Sequence, residues 1–360
     1  MLSSPLLLMA SLALPLTALS VFLTRHNAEE ERKKAEGEQS SDVFLKRYGV
    51  GKTDETGSRA TSTTSASQTQ MQHQSPRDRC DILLLGSGWI SNFAVPVVAS
   101  KGLSISATTR EVKDGDSFER IPFIFDDDHD LDEQVGRLPI ARTVVIVFPI
   151  RGEGRVKRLY ESYTRIKASA QWIQLGSTGI WGSKQPGQSP WIDRFTAPDS
   201  SNPRYQAEEE LLKLSSDSSP TAILNLAGLY GQQRKPSNFL IRVQESLEQK
   251  GSVHFVHGVD VARAIILMHE KFTPGQRWIL TDGRVHDWWN IALDKGEPNT
   301  MARIKVQALT KLLAIKALPR PICDVVPGDA TQRSTKLIRA LDSSHFWQHF
   351  DDAPYSGGLS

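Results

Sequence analysis

A chain of 360 residues, 39% of them hydrophobic, can bury a sizeable core in one large domain or two smaller ones. Its net charge of +2 and lack of a clustered basic face give no case for nucleic-acid binding. Cys80 and Cys323 are too few for a disulfide framework and lack metal-ligand spacing, and no Asn-x-Ser/Thr acceptor points to a glycosylated lumenal domain.

From Pro5 to Leu23 there is no charged side chain. That run is about long enough to cross a hydrocarbon core of about 30 Å. The first basic groups follow it, at Arg25, Arg32, Lys33 and Lys34, so the positive-inside rule keeps the C-terminal side in the cytosol. Residues 1–25 are therefore expected to form a single-pass membrane anchor carrying a cytosolic domain. The alternative is a cleaved signal segment, with Ala18-Leu19-Ser20 as the cleavage site and the secretory lumen as destination. Residues 26–78 are charged, then rich in Ser, Thr, Gln and Gly, and too poor in apolar groups to offset their ordering entropy. They read as a disordered polar linker.

From Cys80 onward, strand-length apolar runs alternate with helical stretches. Strands are expected at 81–85, 103–108, 121–125, 143–148, 172–175, 222–226 and 278–281. Helices are expected at 89–101, 157–170, 204–214, 238–249 and 261–270. The run Thr143-Val-Val-Ile-Val-Phe148 is apolar as a strand covered on both faces would be. This alternation predicts an α/β fold with a Rossmann-like, doubly wound parallel sheet over residues 79–350, including a C-terminal helical portion on the substrate side. Residues 351–360 would be a flexible tail. Met301–Leu318 is a basic amphipathic stretch that either covers this C-terminal part or lies on an anionic membrane surface.

The segment Cys80-Asp-Ile-Leu-Leu-Leu-Gly-Ser-Gly-Trp-Ile-Ser91 ends an apolar run in a Gly-x-Gly turn that opens a helical pattern. Such a turn lets backbone N–H groups approach a phosphate, and the helix N-terminus behind it favours negative charge. Gly86, Ser87, Gly88, Trp89 and Ile90 would hold a dinucleotide diphosphate; Ser91 stands where the fingerprint has its third glycine. At the end of the second strand, Ser106-Ala-Thr-Thr-Arg110 has no carboxylate to accept a ribose 2′-hydroxyl, while Arg110 is placed to pair with a 2′-phosphate. The expected cofactor is NADP(H), with NAD(H) as the alternative.

Taken with the turn, further segments resemble the extended or atypical short-chain dehydrogenase/reductase superfamily of the NAD(P)-dependent epimerase/dehydratase type. Leu175-Gly-Ser-Thr-Gly-Ile-Trp-Gly182 is similar to the fifth-strand segment, with Ser177 at the position of the active-site serine. Leu224-Asn-Leu-Ala-Gly-Leu-Tyr-Gly-Gln-Gln-Arg-Lys-Pro236 resembles the strand-six segment with its Tyr-Gly turn and following Arg. His254-Phe-Val-His-Gly-Val-Asp-Val-Ala-Arg263 resembles the His-x-x-Asp-Val-Ala element. The resemblance runs from Asp81 to about Thr281. It implies an oxidoreductase or epimerase acting on a small hydroxy or carbonyl substrate, with Ser177 and Tyr205 facing that substrate.

The sequence departs from the family at the Tyr-x-x-x-Lys pair. If Tyr205 is the family tyrosine, Glu209 takes the Lys position; if Glu209-Glu-Leu-Leu is the family's later Glu-x-Leu-Leu, Tyr205 takes the Lys position and Ser201 that of the tyrosine. Both registers lose the cation that lowers the phenol pKa. A non-catalytic dinucleotide-binding scaffold or redox sensor at a membrane is therefore the alternative function. His254, His257 and Asp260 read as a strand-to-helix segment with Asp260 capping a helix that begins at Val261, rather than a metal set. Asp126-Asp-Asp-His-Asp130 reads as a solvated loop, and Trp181, Trp288 and Trp289 as core.

Overall fold

The computed structural model describes residues 78–112, 118, 120–182, 191–243, 251–294, 303–304, 306–307 and 339–355, all within the compact unit Ala66–Ser360. The expected anchor, the linker up to residue 77, most of the amphipathic stretch 301–318 and residues 356–360 lie outside them. Among the described residues no helix is long and apolar enough to cross a membrane.

Seven strands form the central sheet: β1 (Arg79–Leu85), β2 (Ile105–Thr109), β3 (Arg120–Pro122), β4 (Ile140–Ile146), β5 (Gln171–Ser177), β6 (Thr221–Leu226) and β7 (Arg277–Leu280). Their spatial order is β3-β2-β1-β4-β5-β6-β7. Every neighbouring pair is parallel. The described helices longer than one turn are α1 (Ser91–Ser100), α2 (Leu131–Gly136), α3 (Arg155–Ile166), α4 (Pro203–Lys213), α5 (Gly258–Glu270), α6 (Trp288–Asp294) and α7 (Ser344–Phe350).

The order reverses between β1 and β4: β1 connects outward to β2, whereas β4 connects the other way to β5. Right-handed crossovers therefore place α1 and α3 on opposite faces, and leave a crevice at the carboxyl ends of β1 and β4. The continuous apolar runs follow from this. Leu83, Leu85, Val144, Ile146 and Trp172 pack with Val156, Leu159 and Tyr163 of α3 and Ala207 and Leu211 of α4. The alternate residues Ile82, Leu84, Val145 and Ile173 face the other way and are equally buried, on the side where α1 packs against α5.

Three short pairings extend the carboxyl side. Phe255–His257 runs parallel to Gly228–Tyr230, Ala340–Leu341 parallel to Trp191–Ile192, and His286–Asp287 antiparallel to Ser252–Val253.

Several local readings are corrected. α5 begins at Gly258 rather than Val261, and its N-cap is His257, whose Nδ1 accepts the Val259 N–H at 3.2 Å, rather than Asp260. Asp260 lies in the first turn, where it accepts the Tyr355 N–H at 2.8 Å and an Arg263 hydrogen bond at 3.0 Å. The helix expected at 238–249 opens as a 3-10 turn, Pro236–Phe239, and is α-helical over Leu240–Val243, with 244–250 outside the described residues. The helix α2 was not expected. It forms because Asp130 accepts the backbone N–H groups of Asp132 and Glu133, at 2.9 and 3.3 Å.

Candidate functional site

The turn after β1 hangs on the end of β2. Thr108 accepts the Gly86 N–H on Oγ1 at 2.7 Å and the Ser87 N–H on its carbonyl at 2.6 Å. Gly86 and Gly88 take φ of +88° and +46°, which disfavours side chains. A Cβ on Gly86 would stand 3.0 Å from Phe148 Cδ1, whereas one on Gly88 would meet nothing within 4 Å. Ser91, in the third-glycine position, donates its hydroxyl to the Gly88 carbonyl at 3.0 Å and so closes the turn. The backbone N–H groups of Gly88, Trp89 and Ile90 donate to no other described residue. Free donors, open space over Gly88 and the positive end of α1 together make a cradle that fits a diphosphate.

Arg110 follows β2, exposed and without an ion-pair partner among the described residues. Beyond β3 and β4, the rings of Phe125 and Phe148 stack with centroids 5.4 Å apart. Their wall stands beside Gly86, with the guanidinium of Arg155 5.4 Å from the Phe125 centroid.

At the end of β5 the chemistry is different. The Ser177 hydroxyl oxygen accepts the Gly179 N–H at 3.1 Å, and the Ser177 N–H donates to Glu208 Oε1 at 3.3 Å. Glu208, on α4, is fully buried. Arg277 of β7 pairs with its Oε2, and Asn225 of β6 donates to the same oxygen at 2.8 Å. A Cβ on Gly176 would collide with both Asn225 Nδ2 and Glu208 Oε1, so only glycine lets α4 bring this carboxylate down onto the sheet. Burial pushes the Glu208 pKa up, opposed by Arg277, Asn225 and the Ser177 amide.

Tyr205, one turn before Glu209, packs against Ile180, Trp181, Ile192, Ile279 and Leu341. The Arg277 guanidinium lies 5.1 Å from its ring centroid. Burial and Glu209 nonetheless raise the phenol pKa, with Arg277 acting against them. Arg277 is engaged with both Glu208 and Glu209, the latter at 3.4 Å. Arg204 interacts electrostatically with Glu208 and Arg151. This arrangement keeps Tyr205 a neutral hydrogen-bond donor instead of an activated phenolate.

Glu208, Asn225, Arg277 and Arg339 were not singled out from the sequence. Arg339 donates to the carbonyls of Thr178 and Trp181, at 3.2 and 2.8 Å, and so pins the loop after Ser177. One signal was present for Glu208: it stands three residues before Leu211 and next to Ala207, on the apolar stripe of its helix. Trp181, Trp288 and Trp289 are core residues. His254 is buried, kept neutral by that burial, and accepts the Leu341 N–H on Nε2 at 2.9 Å. Among the described residues no cluster of His, Cys, Asp or Glu could hold a metal. A cavity of about 730 Å³ lies elsewhere, lined by Gly283, Ser343, Trp347, Asp351 and Pro354, and shares no residue with the turn or with Ser177 and Tyr205.

No protein-family model matches the chain, and no curated protein matches it. Solved structures do. MoeE5 in complex with UDP-glucose and NAD is 15% identical, with a TM-score of 0.51 over 78% of this chain and 95% of that one. The gox2253 structure is 15% identical, with a TM-score of 0.51 over 76% of this chain and 93% of that one. A short-chain dehydrogenase/reductase superfamily protein from Agrobacterium tumefaciens with bound NAD is 12% identical, with a TM-score of 0.50 over 76% and 92%. At such identities the likeness is one of fold alone. The chain shares with these structures the fold of a parallel sheet wound on both faces.

Proposed function

We propose that this protein binds NADP(H), with NAD(H) as the weaker ligand, and acts as an oxidoreductase or epimerase of the nucleotide-sugar epimerase/dehydratase and reductase kind on a small hydroxy or carbonyl substrate. The observation that carries this reading is the opening of the β1–α1 turn. Its three unengaged amides and two positive-φ glycines sit at the topological switch point of a parallel sheet. The neighbouring MoeE5 and Agrobacterium tumefaciens structures hold NAD, which supports a dinucleotide here. In the turn Gly86–Ile90, the free amides of Gly88, Trp89 and Ile90 would hold the diphosphate, with Gly86 and Ser87 shaping the turn through Thr108, and Arg110 would hold the 2′-phosphate.

A nicotinamide held there would provide hydride-transfer chemistry. Ser177 orients the substrate oxygen through its hydroxyl proton, and Tyr205, kept protonated, donates a proton to that oxygen as the hydride arrives at carbon. With no lysine in place, Arg277 is the nearest described cation over the Tyr205 ring. The N-terminal segment places the domain on the cytosolic side of a membrane in this reading, through a single-pass anchor.

A second reading has a specific observation in its favour: burial, and then Glu209, raise the Tyr205 pKa, the reverse of what proton abstraction needs. A non-catalytic NADP(H)-dependent scaffold or redox sensor is consistent with that. Titrating the purified protein into NADPH while following nicotinamide fluorescence, then adding a panel of carbonyl substrates, separates the two. Binding followed by oxidation supports the enzyme; binding without turnover supports the sensor; failure of both NADPH and NADH to bind removes both.

A further inference from the structure

The turn that follows Tyr230 reaches back onto α1 and brings a guanidinium to the same opening. Gly231 and Arg234 close it with two backbone hydrogen bonds, of 3.0 and 3.1 Å. Gly231 takes φ of +127°, and a Cβ there would stand 2.7 Å from His257 Nε2 and 3.1 Å from Phe93 Cζ, so glycine is required for this approach. Gln232, itself at φ +51°, accepts a hydrogen bond from Asn92 of α1 at 3.4 Å. The turn is thereby docked on the first helix, and it sets the Arg234 guanidinium 4.5 Å from the Trp89 ring centroid. The Trp89 ring is braced in turn by Phe93, edge-on at 4.6 Å.

Arg234 is exposed, and no carboxylate among the described residues lies within ion-pair distance of it. A guanidinium stacked on an indole keeps its in-plane N–H donors available at the edge. Trp89 is also the residue whose backbone N–H is free in the cradle. Stacking thus sets an unneutralised, multi-donor cation on the side chain of a residue whose own amide is free in the turn.

Resting on the dinucleotide reading above, we propose that Arg234 is a clamp for the cofactor diphosphate. It meets the phosphate oxygens that the Gly88, Trp89 and Ile90 amides receive, with the Trp89 ring as its platform. Division of labour follows: Arg110 reads the ribose phosphate, whereas Arg234 answers the bridging diphosphate.

The test compares the full chain with Arg234→Met, which keeps an apolar stem over Trp89 and removes the donors. Affinities are measured for NADPH and for adenosine 2′-monophosphate, which has the 2′-phosphate but no diphosphate, alongside the unfolding midpoint. The expected result is a roughly tenfold loss for NADPH, unchanged binding of adenosine 2′-monophosphate and an unchanged midpoint. NADPH affinity within twofold of wild type overturns the clamp, as does an equal loss for both ligands. If the wild-type chain binds neither NADPH nor NADH, the dinucleotide reading falls and the clamp with it.

Discussion

The Gly86–Ile90 turn and the Ser177–Tyr205 region occupy the same edge of one parallel sheet but treat charge in opposite ways. At the turn the amides of Gly88, Trp89 and Ile90 have no described partner, and Arg110 and Arg234 stand by without carboxylates. Around Ser177 the charges are answered within the protein: Glu208 by Arg277, Asn225 and the Ser177 amide, and Glu209 by Arg277. Donors without a protein partner at a turn exposed at Gly88 are open to solvent or to a ligand, whereas buried polar groups are paired within the protein. A satisfied buried network instead rigidifies its surroundings. The difference teaches that the turn keeps its donors accessible, while the network behind Ser177 spends its charges tying β5 to α4.

The strongest way to break this contrast is Gly176→Val. The new side chain would drive into Asn225 and Glu208, so we expect a loss of about 4 kcal/mol or more in unfolding free energy. Denaturant unfolding measures it; a stable variant would show that the network yields easily. Glu208→Ala comes next, at about 3–5 kcal/mol, because it leaves buried Arg277 without its main partner. Adding Arg277→Met should recover most of that loss, and a double-mutant cycle reads the coupling.

Gly88→Val carries the comparison to the turn. Its Cβ enters space that is open in the protein, so stability falls by only about 1–2 kcal/mol from backbone strain. NADPH affinity falls at least about tenfold. Arg110→Ala should weaken NADPH by about tenfold and leave NADH unchanged. Equal loss for both cofactors would remove Arg110 from the 2′-position. Tyr205→Phe should change NADPH affinity least, by under about twofold, yet lower any turnover by about 10²–10⁴. Because burial and Glu209 raise the phenol pKa, Tyr205 stays protonated as pH rises, and a rate–pH profile should lack a basic limb below about 10.

The central strands were legible because an apolar run such as Ile82–Leu85 is a local statement, true wherever both faces of a strand are covered. α2 was missed although Asp130 and Glu133 have capping-box spacing, because an Asp-rich run also describes a solvated loop. α5 was started too late because His257 is not among the usual capping residues. Glu208 was hidden in a run of three glutamates. Its partner Arg277 is 69 residues downstream, and Arg339 lies 161 residues from the Thr178 carbonyl it binds.

By itself the sequence determined the wound parallel sheet and the glycine turn at its switch point, because hydrophobic period and positive-φ positions act over a few neighbouring residues. Only the tertiary structure decided which charges are silenced and which stay available. That depends on carboxylates and guanidiniums meeting across strands far apart in the chain, where burial makes an unpaired ion costly and a paired one quiet.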